Sequence, residues 1–250
     1  MTILNIDTSG FICSVSLGID GRLVHVLTSP QEVNHASVLP LYIQEMLNKA
    51  EELEKTLDAV AVAGGPGSYT GLRIGVSTAK GLCYGLGIKL IAIDTTEIIA
   101  FSIASNIRKA FSSTASANQS LTILACPMID ARRMEVYTAN YELSDVQNLI
   151  LERKGEIEAK IINSDSFAEE LKTHHIYFAG NGSEKCKSVI THPNAHFAEG
   201  SSNAEFMCEL SERHYVNAVN GEEGFADIAY YTPFYLKDYI AAQSHVKGLH

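Results

Sequence analysis

Residues 61–75 read Ala-Val-Ala-Gly-Gly-Pro-Gly-Ser-Tyr-Thr-Gly-Leu-Arg-Ile-Gly, and the rest of the chain is organised around how this stretch folds. Before it, Leu57 to Ala63 is short, mostly apolar and closed by Gly64-Gly65-Pro66, the pattern of a buried strand rather than a helix. After it, Leu72 to Gly87 has no proline and can wind into helix from a Ser68 or Thr70 cap. The unit is strand, tight loop, helix. Such a loop can hold an anion on converging N–H groups at a helix N-terminus. The known phosphate patterns nevertheless fail: no glycine of the loop is followed by lysine, and Gly-x-Gly-x-x-Gly, begun at Gly65 and Gly67, meets Thr70 where the last glycine should be. Gly64, Gly65, Pro66, Gly67 and Gly71 therefore read as a structural loop that turns sharply and lets a helix pack tightly on a sheet.

Towards the N-terminus, Thr2 to Ile6, a polar Asp7-Thr8-Ser9-Gly10 turn and Ile12 to Leu17 read as antiparallel strands, with Asp20-Gly21 turning into a third at Leu23-Val24. From about Asn34 or Ser37, the apolar positions Leu39, Ile43, Met46, Leu47, Ala50 and Leu53 fall on one helical face, with Pro40 early in the helix. Beyond the glycine loop, Lys89 to Ile93 is a strand and Thr95 to Ala104 a helix. Around Ala110 the composition turns to Ser, Thr and Asn without periodicity, which marks a connection between lobes.

A second unit begins at Leu121 and repeats the opening of the first. Ile3 to Ser9 is a strand running into an Asp turn; Cys126 to Arg132 does the same around Asp130 and returns as Met134 to Tyr141. Ile176 to Ala179 is a further strand ending in Gly180-Asn181-Gly182, Ser183 to Val189 is helical, and Asn203 to Tyr215 is an amphipathic helix. Pro233 to Lys237 is too apolar for a loose tail.

With 250 residues and 46% hydrophobic content the chain can bury one large core or two lobes, so it is not a disordered protein. Its 19 basic and 29 acidic residues leave a net charge of −10, which disfavours an unaided grip on nucleic acid. Five cysteines, with no C-x-x-C pair, argue against a disulfide framework or zinc knuckle and suit a reducing cytoplasm. No export signal is expected, and the most apolar segment, Leu86 to Ala104, is interrupted by Lys89, Asp94 and Glu97, so no membrane span is expected.

Duplicated halves that each open on an Asp turn resemble the two-lobed actin, hexokinase and Hsp70-like ATPase superfamily. That resemblance implies an α/β fold of duplicated mixed-sheet subdomains. On it, residues 1–106 form the N-terminal lobe, rejoined by 220–250, and residues 107–219 the second. The strings Ile3 to Ser9, Asn34 to Pro40, Gly64 to Gly75, Ile129 to Tyr137 and Pro233 to Lys237 are similar to the TsaB family. The resemblance implies a cytoplasmic, non-catalytic subunit that pairs with a TsaD-like paralogue and a TsaE-like ATPase to form N6-threonylcarbamoyladenosine (t6A) beside the tRNA anticodon. The net charge of −10 leads to the expectation that tRNA is met only through the complex, and an apolar helix surface, seldom left bare, to that of a homodimer when the chain is alone. Where the TsaD family carries an H-x-x-x-H metal pair, this chain has Thr95 and Ile99; an isoleucine cannot hold a metal.

Other chemistries weigh less. His35, Glu32 and Asp7 could form an acid–base cluster, but a histidine at a helix start is more often a hydrogen-bonded cap. An M22-like metallopeptidase would need a metal, yet no H-E-x-x-H occurs and His174 and His175 diverge on any regular element. An ATP-using phosphotransferase or hydrolase would use Asp7, Thr8 and Ser9 on phosphate, but the second turn, Asp130-Ala131-Arg132, lacks the glycine-threonine partner. These three residues are taken as a degenerate phosphate turn. No cofactor is expected to bind tightly, and weak ATP or ADP binding is confined to the complex. The expected interface consists of Leu39, Ile43, Met46 and Leu47 of the first helix with Ile74, Gly75 and Thr78 of the next, where small residues permit close helix approach.

Overall fold

The computed structural model describes residues 1–30, 34–112, 122–222 and 224–237. In the first of two mixed sheets, β1 (Thr2–Asp7), β2 (Ser14–Ile19) and β3 (Arg22–Thr28) form an antiparallel meander. Next to β1, β4 (Ala59–Gly65) and β5 (Lys89–Asp94) add in parallel, giving the order β3-β2-β1-β4-β5. The second sheet repeats this pattern. Its meander is β6 (Thr122–Asp130), β7 (Glu135–Asp145) and β8 (Ile150–Ile161), and β9 (His174–Ala179) and β10 (Ala195–Phe197) add in parallel, in the order β8-β7-β6-β9-β10. The duplicated two-lobed α/β fold expected from the paired Asp turns is thus the observed one.

Two 18-residue helices cover the outer face of the first sheet, and both start and stop as local chemistry dictates. In α1 (His35–Glu52) the Asn34 side chain accepts from the Ala36 N–H at 3.0 Å, and Pro40 lies inside the helix, where its missing N–H forgoes the bond to Ala36 O. In α2 (Tyr69–Leu86) the Ser68 hydroxyl accepts from Gly71 N–H at 3.2 Å, and Gly87 ends the helix in the left-handed region. Leu39, Ile43 and Met46 of α1 and Val76, Ala79 and Cys83 of α2 are buried against Leu4, Ile6, Val15, Leu17, Val60 and Val62.

The inner face of the same sheet packs on α3 (Thr95–Ser112), which is sandwiched between the lobes, with Ile98, Ile103 and Ala100 fully buried. Each such isoleucine contributes about 1.5–3 kcal/mol by leaving water. The helix runs on to Ser112, beyond its expected end at Ala104, because Ile107 and Phe111 continue the apolar stripe against the second sheet. Most of the Ser/Thr/Asn-rich connection lies outside the described residues.

The outer face of the second sheet is covered differently. Phe167, Leu171, Cys186 and Ile190 close it from short turns, including the single-turn α4 (Glu170–Thr173). The helix expected over 183–189 is only a 3-10 turn at Glu184–Cys186, because Cys186, Val189 and Ile190 are too few to form a helical stripe. The duplication therefore preserves the sheets, but among the described residues the long outer helices lie on the first lobe.

The chain returns to the first lobe earlier than residue 220. Helix α5 (Met207–Asn220) packs on β1, β2 and β5, burying Met207, Cys208 and Leu210, and Ser16 Oγ donates to Ala204 O at 2.7 Å. The expected second-lobe limit at 219 is corrected accordingly. Residues 225–237 then form a strap. Ala226 N–H donates to Leu90 O at 2.9 Å on the β5 edge, Lys80 Nζ to Ala229 O and Tyr231 O, Phe234 N–H to Gly64 O at 2.8 Å, and Lys237 Nζ to Glu135 in the other lobe.

Candidate partner face and interlobe cleft

The glycine loop is shaped by what lies against it. A Cβ at Gly71 would sit 2.1 Å from Thr8 O, and one at Gly67 2.4 Å from Ser9 O, so this end of α2 is seated directly on the Asp7 turn. Ser68 N–H donates to Ser9 O at 2.7 Å and Thr8 Oγ1 to Gly71 O at 2.7 Å. On its other side Gly65, with φ +111°, faces Phe234 O of the strap. No phosphate is needed to explain these glycines.

Asp7, Thr8 and Ser9 are all buried. Asp7 Oδ1 accepts from Ser9 N–H at 2.8 Å and Ser9 Oγ at 2.7 Å, and Oδ2 accepts from Ser202 Oγ. The turn's own Ser9 and the distant Ser202 together satisfy the carboxylate. In the second lobe Asp130 accepts from Lys185 and from Arg132 N–H, while its own N–H donates to Asn181 Oδ1 at 2.8 Å. Between the turns lies a cleft of about 490 Å³ bordered by Phe11, Tyr69, Tyr137, Asn181 and Tyr235.

Thr95 and Ile99 are buried at the start of α3, Ile99 within the core and Thr95 Oγ1 with no hydrogen-bond partner. Next to them, burial raises the pKa of Asp94 above the usual carboxylate value although Arg153 is 2.6 Å away. No cluster of three or more His, Cys, Asp or Glu that could hold a metal occurs among the described residues. His35 reaches Phe11 O at 3.3 Å rather than Asp7, and Glu32 lies outside the described residues. His174 and His175 do diverge: His174 Nδ1 turns to Thr173 and Glu170 O, whereas His175 meets His196 at 3.0 Å. Among the described residues no helix is long and apolar enough to cross a membrane.

The two outer helices carry the expected interface residues, but not all on an accessible face. Leu39 and Met46 are wholly buried, and Ile43 and Gly75 are also interior; only Leu47, Ile74 and Thr78 of that set are partly exposed. The first stripe is core because a helix lying on a sheet turns its most apolar face inwards. What points outwards is Ser37, Pro40, Leu41 and Gln44 of α1 with Arg73, Ser77, Gly81, Tyr84 and Gly85 of α2. Leu41 is 68% and Tyr84 84% exposed, enough to make the face partly apolar. Between the helices runs a groove of about 410 Å³ whose lining includes Ala36, Pro40, Arg73, Ile74 and Ser77. Ser77, Gly81 and Gly85 are legible in the sequence as small residues that permit close helix approach, whereas the outward position of Arg73 and Tyr84 is set by the sheet beneath α2.

Two duplicated mixed-sheet lobes with a cleft between the Asp7 and Asp130 turns define a two-lobed α/β protein, with its long outer helices presented on one lobe among the described residues. A family model described as "TsaD: tRNA N6-adenosine threonylcarbamoyltransferase" matches residues 29–243, and the chain belongs to that family. It is similar to the protein named tRNA threonylcarbamoyladenosine biosynthesis protein TsaB from Haemophilus influenzae, 27% identical over 220 residues, covering 86% of this chain and 87% of the relative. The TsaB of Bacillus subtilis is 32% identical over 142 residues, 57% of this chain; the matched stretch spans only about half, 56%, of that relative's length. The structure of YeaZ from Pseudomonas aeruginosa shares the fold, with a TM-score of 0.69 at 23% identity, over 94% of this chain and 99% of YeaZ.

Proposed function

We propose that this chain is a non-catalytic partner subunit required for the t6A modification of tRNA, and that it acts by pairing with a TsaD-related catalytic subunit through the outer face of α1 and α2. The observation that carries this reading is Gly81. It lies inside an 18-residue helix, exposed, and a Cβ built there meets nothing within 4 Å. Glycine inside a helix costs about 1 kcal/mol relative to alanine. Nothing within the described chain calls for that cost, so the smallness of the site fits a helix approaching from outside. Gly85 is open in the same way, and Ser77 precedes Gly81 by one turn. The names of the TsaB relatives supply the pathway.

On this reading the TsaE-like ATPase joins the pair, tRNA is engaged only in the complex, and the same face makes a homodimer when the partner is absent. The net charge of −10 supports reliance on a partner for tRNA affinity. The interlobe cleft has no tightly held cofactor, ATP or ADP being a weak ligand of the complex, because Asp7 already accepts from Ser9 and Ser202. The test is to mix the chain with its cognate TsaD-like protein and to assay t6A formation with each subunit omitted. A stable complex in which neither subunit alone suffices is expected. Modification by the TsaD-like protein alone, or by this chain alone, would refute the reading.

A further inference from the structure

The groove between α1 and α2 is apolar along Ala36, Leu39, Pro40 and Ile74, and one charged side chain borders it, Arg73. Its guanidinium carbon lies 4.1 Å from the Tyr69 ring centroid and 6.0 Å from that of Tyr235, and Nε donates to the Tyr235 hydroxyl at 3.2 Å. The two rings are themselves 4.9 Å apart. The strap thus reaches over α2 to fix an exposed arginine beside an apolar groove. Arg153, Arg213, Lys49, Lys154, Lys160, Lys172, Lys185 and Lys237 all pair with carboxylates. Arg73, like Arg22, Lys55, Arg132 and Lys187, has no carboxylate ion pair among the described residues; what distinguishes it is the tyrosine clamp that holds it beside the groove. Because only Nε is engaged, the two terminal nitrogens keep their four N–H donors in a planar fork that matches a carboxylate. Holding the fork in place beforehand lowers the entropy lost on binding.

We propose that Arg73 is the specificity-determining charged contact of this face. It receives a carboxylate from a helix of the partner subunit, and an aliphatic side chain of the same helix enters the groove beside Pro40 and Ile74. Charge complementarity selects this occupant: an apolar trough with one unneutralised cation fits an amphipathic helix bearing an acid. The inference rests on pairing through α1 and α2, and adds the chemistry that the partner must bring.

The test is calorimetric titration of the full chain with the cognate catalytic subunit, with thermal melting as a folding control. Arg73→Glu should weaken association about 30-fold, equivalent to about 2 kcal/mol. Arg73→Lys should recover only part, since an ammonium lacks the fork. Tyr235→Phe, which removes the hydrogen bond but keeps the ring, should cost about two- to fivefold. Reversing one acid of the partner to arginine should restore binding to Arg73→Glu and to no other variant. If Arg73→Glu binds as wild type while Gly81→Leu does not, pairing through this face stands and the Arg73 proposal falls. Should neither variant affect binding, the pairing reading falls with it. If Arg73→Glu spares association but weakens tRNA binding by the assembled complex and flattens its salt dependence, the arginine contacts phosphate and the proposal is wrong.

Discussion

Replacing glycine by alanine at two places in α2 should change stability in opposite directions. At Gly71 the added Cβ would lie 2.1 Å from the backbone carbonyl of Thr8, and that carbonyl belongs to a buried turn tied to Gly71 O by the Thr8 hydroxyl at 2.7 Å. Neither partner can swing away, so α2 must lift from β1. Overpacking of this kind costs about 1–3 kcal/mol. At about 2–4 °C per kcal/mol for a chain of this size, Tm should fall by roughly 2–12 °C. Ten residues on, Gly81 has open space around its Cβ, and alanine there should gain up to about 1 kcal/mol of helix propensity, raising Tm by roughly 1–4 °C. Differential scanning calorimetry of the isolated chain and both variants decides the matter. An unchanged Tm for Gly71→Ala would show that α2 is not seated on the Asp7 turn. A destabilised Gly81→Ala would show that this position packs inside the chain, and the argument for an external partner would lose its basis.

Three further outcomes are expected. Met46 is fully buried, so Met46→Ala should destabilise the isolated chain by about 2–5 kcal/mol in a denaturant titration, and no loss would return Met46 to the surface. Burial pushes the thiols of Cys13 and Cys126 up to about 12 and those of Cys83 and Cys208 up to about 11, so a thiol reagent at neutral pH should label the native chain slowly and the unfolded chain at once; rapid native labelling would contradict that packing. Burial, with His175 alongside, lowers the pKa of His196, so the unfolded chain takes up the proton first as pH falls below about 6.5. Stability present above that value is lost as pH falls through the folded pKa, and Tm should drop from pH 7 to 5 less steeply in His196→Phe than in wild type; an identical slope would remove His196 from the account.

The fold was legible where the pattern was dense. Paired strand-to-Asp openings at Ile3 to Ser9 and Cys126 to Arg132 revealed the duplication, and the 61–75 string placed β4, its loop and α2 with Ser68 as the cap. Strand β8 was missed because its charged, Glu- and Lys-rich sequence masks a strand held mainly by pairing with β7. The end of α3 was misplaced because its last turns are held by tertiary contact with the second sheet, beyond the reach of local propensity. At the candidate partner face, periodicity locates both helices but does not say which stripe points inwards. Leu39, Ile43 and Met46 have the hydrophobicity of an interface and of a core alike, and the sheet beneath them claims them. The Arg73 clamp depends on Tyr235, 162 residues away, which no local pattern could supply.

The central claim is that the outer face of α1 and α2 pairs with a TsaD-related subunit, and the most direct measurement is the affinity of that pair with and without a side chain at Gly81. Gly81→Leu fills space that is open in the isolated chain and favours the helix, so the variant should melt no lower than wild type. Its affinity for the cognate subunit should nevertheless fall at least about tenfold, because a leucine would hold the approaching helix off the surface. A Gly81→Leu chain that is folded and binds its partner as tightly as wild type would contradict the account.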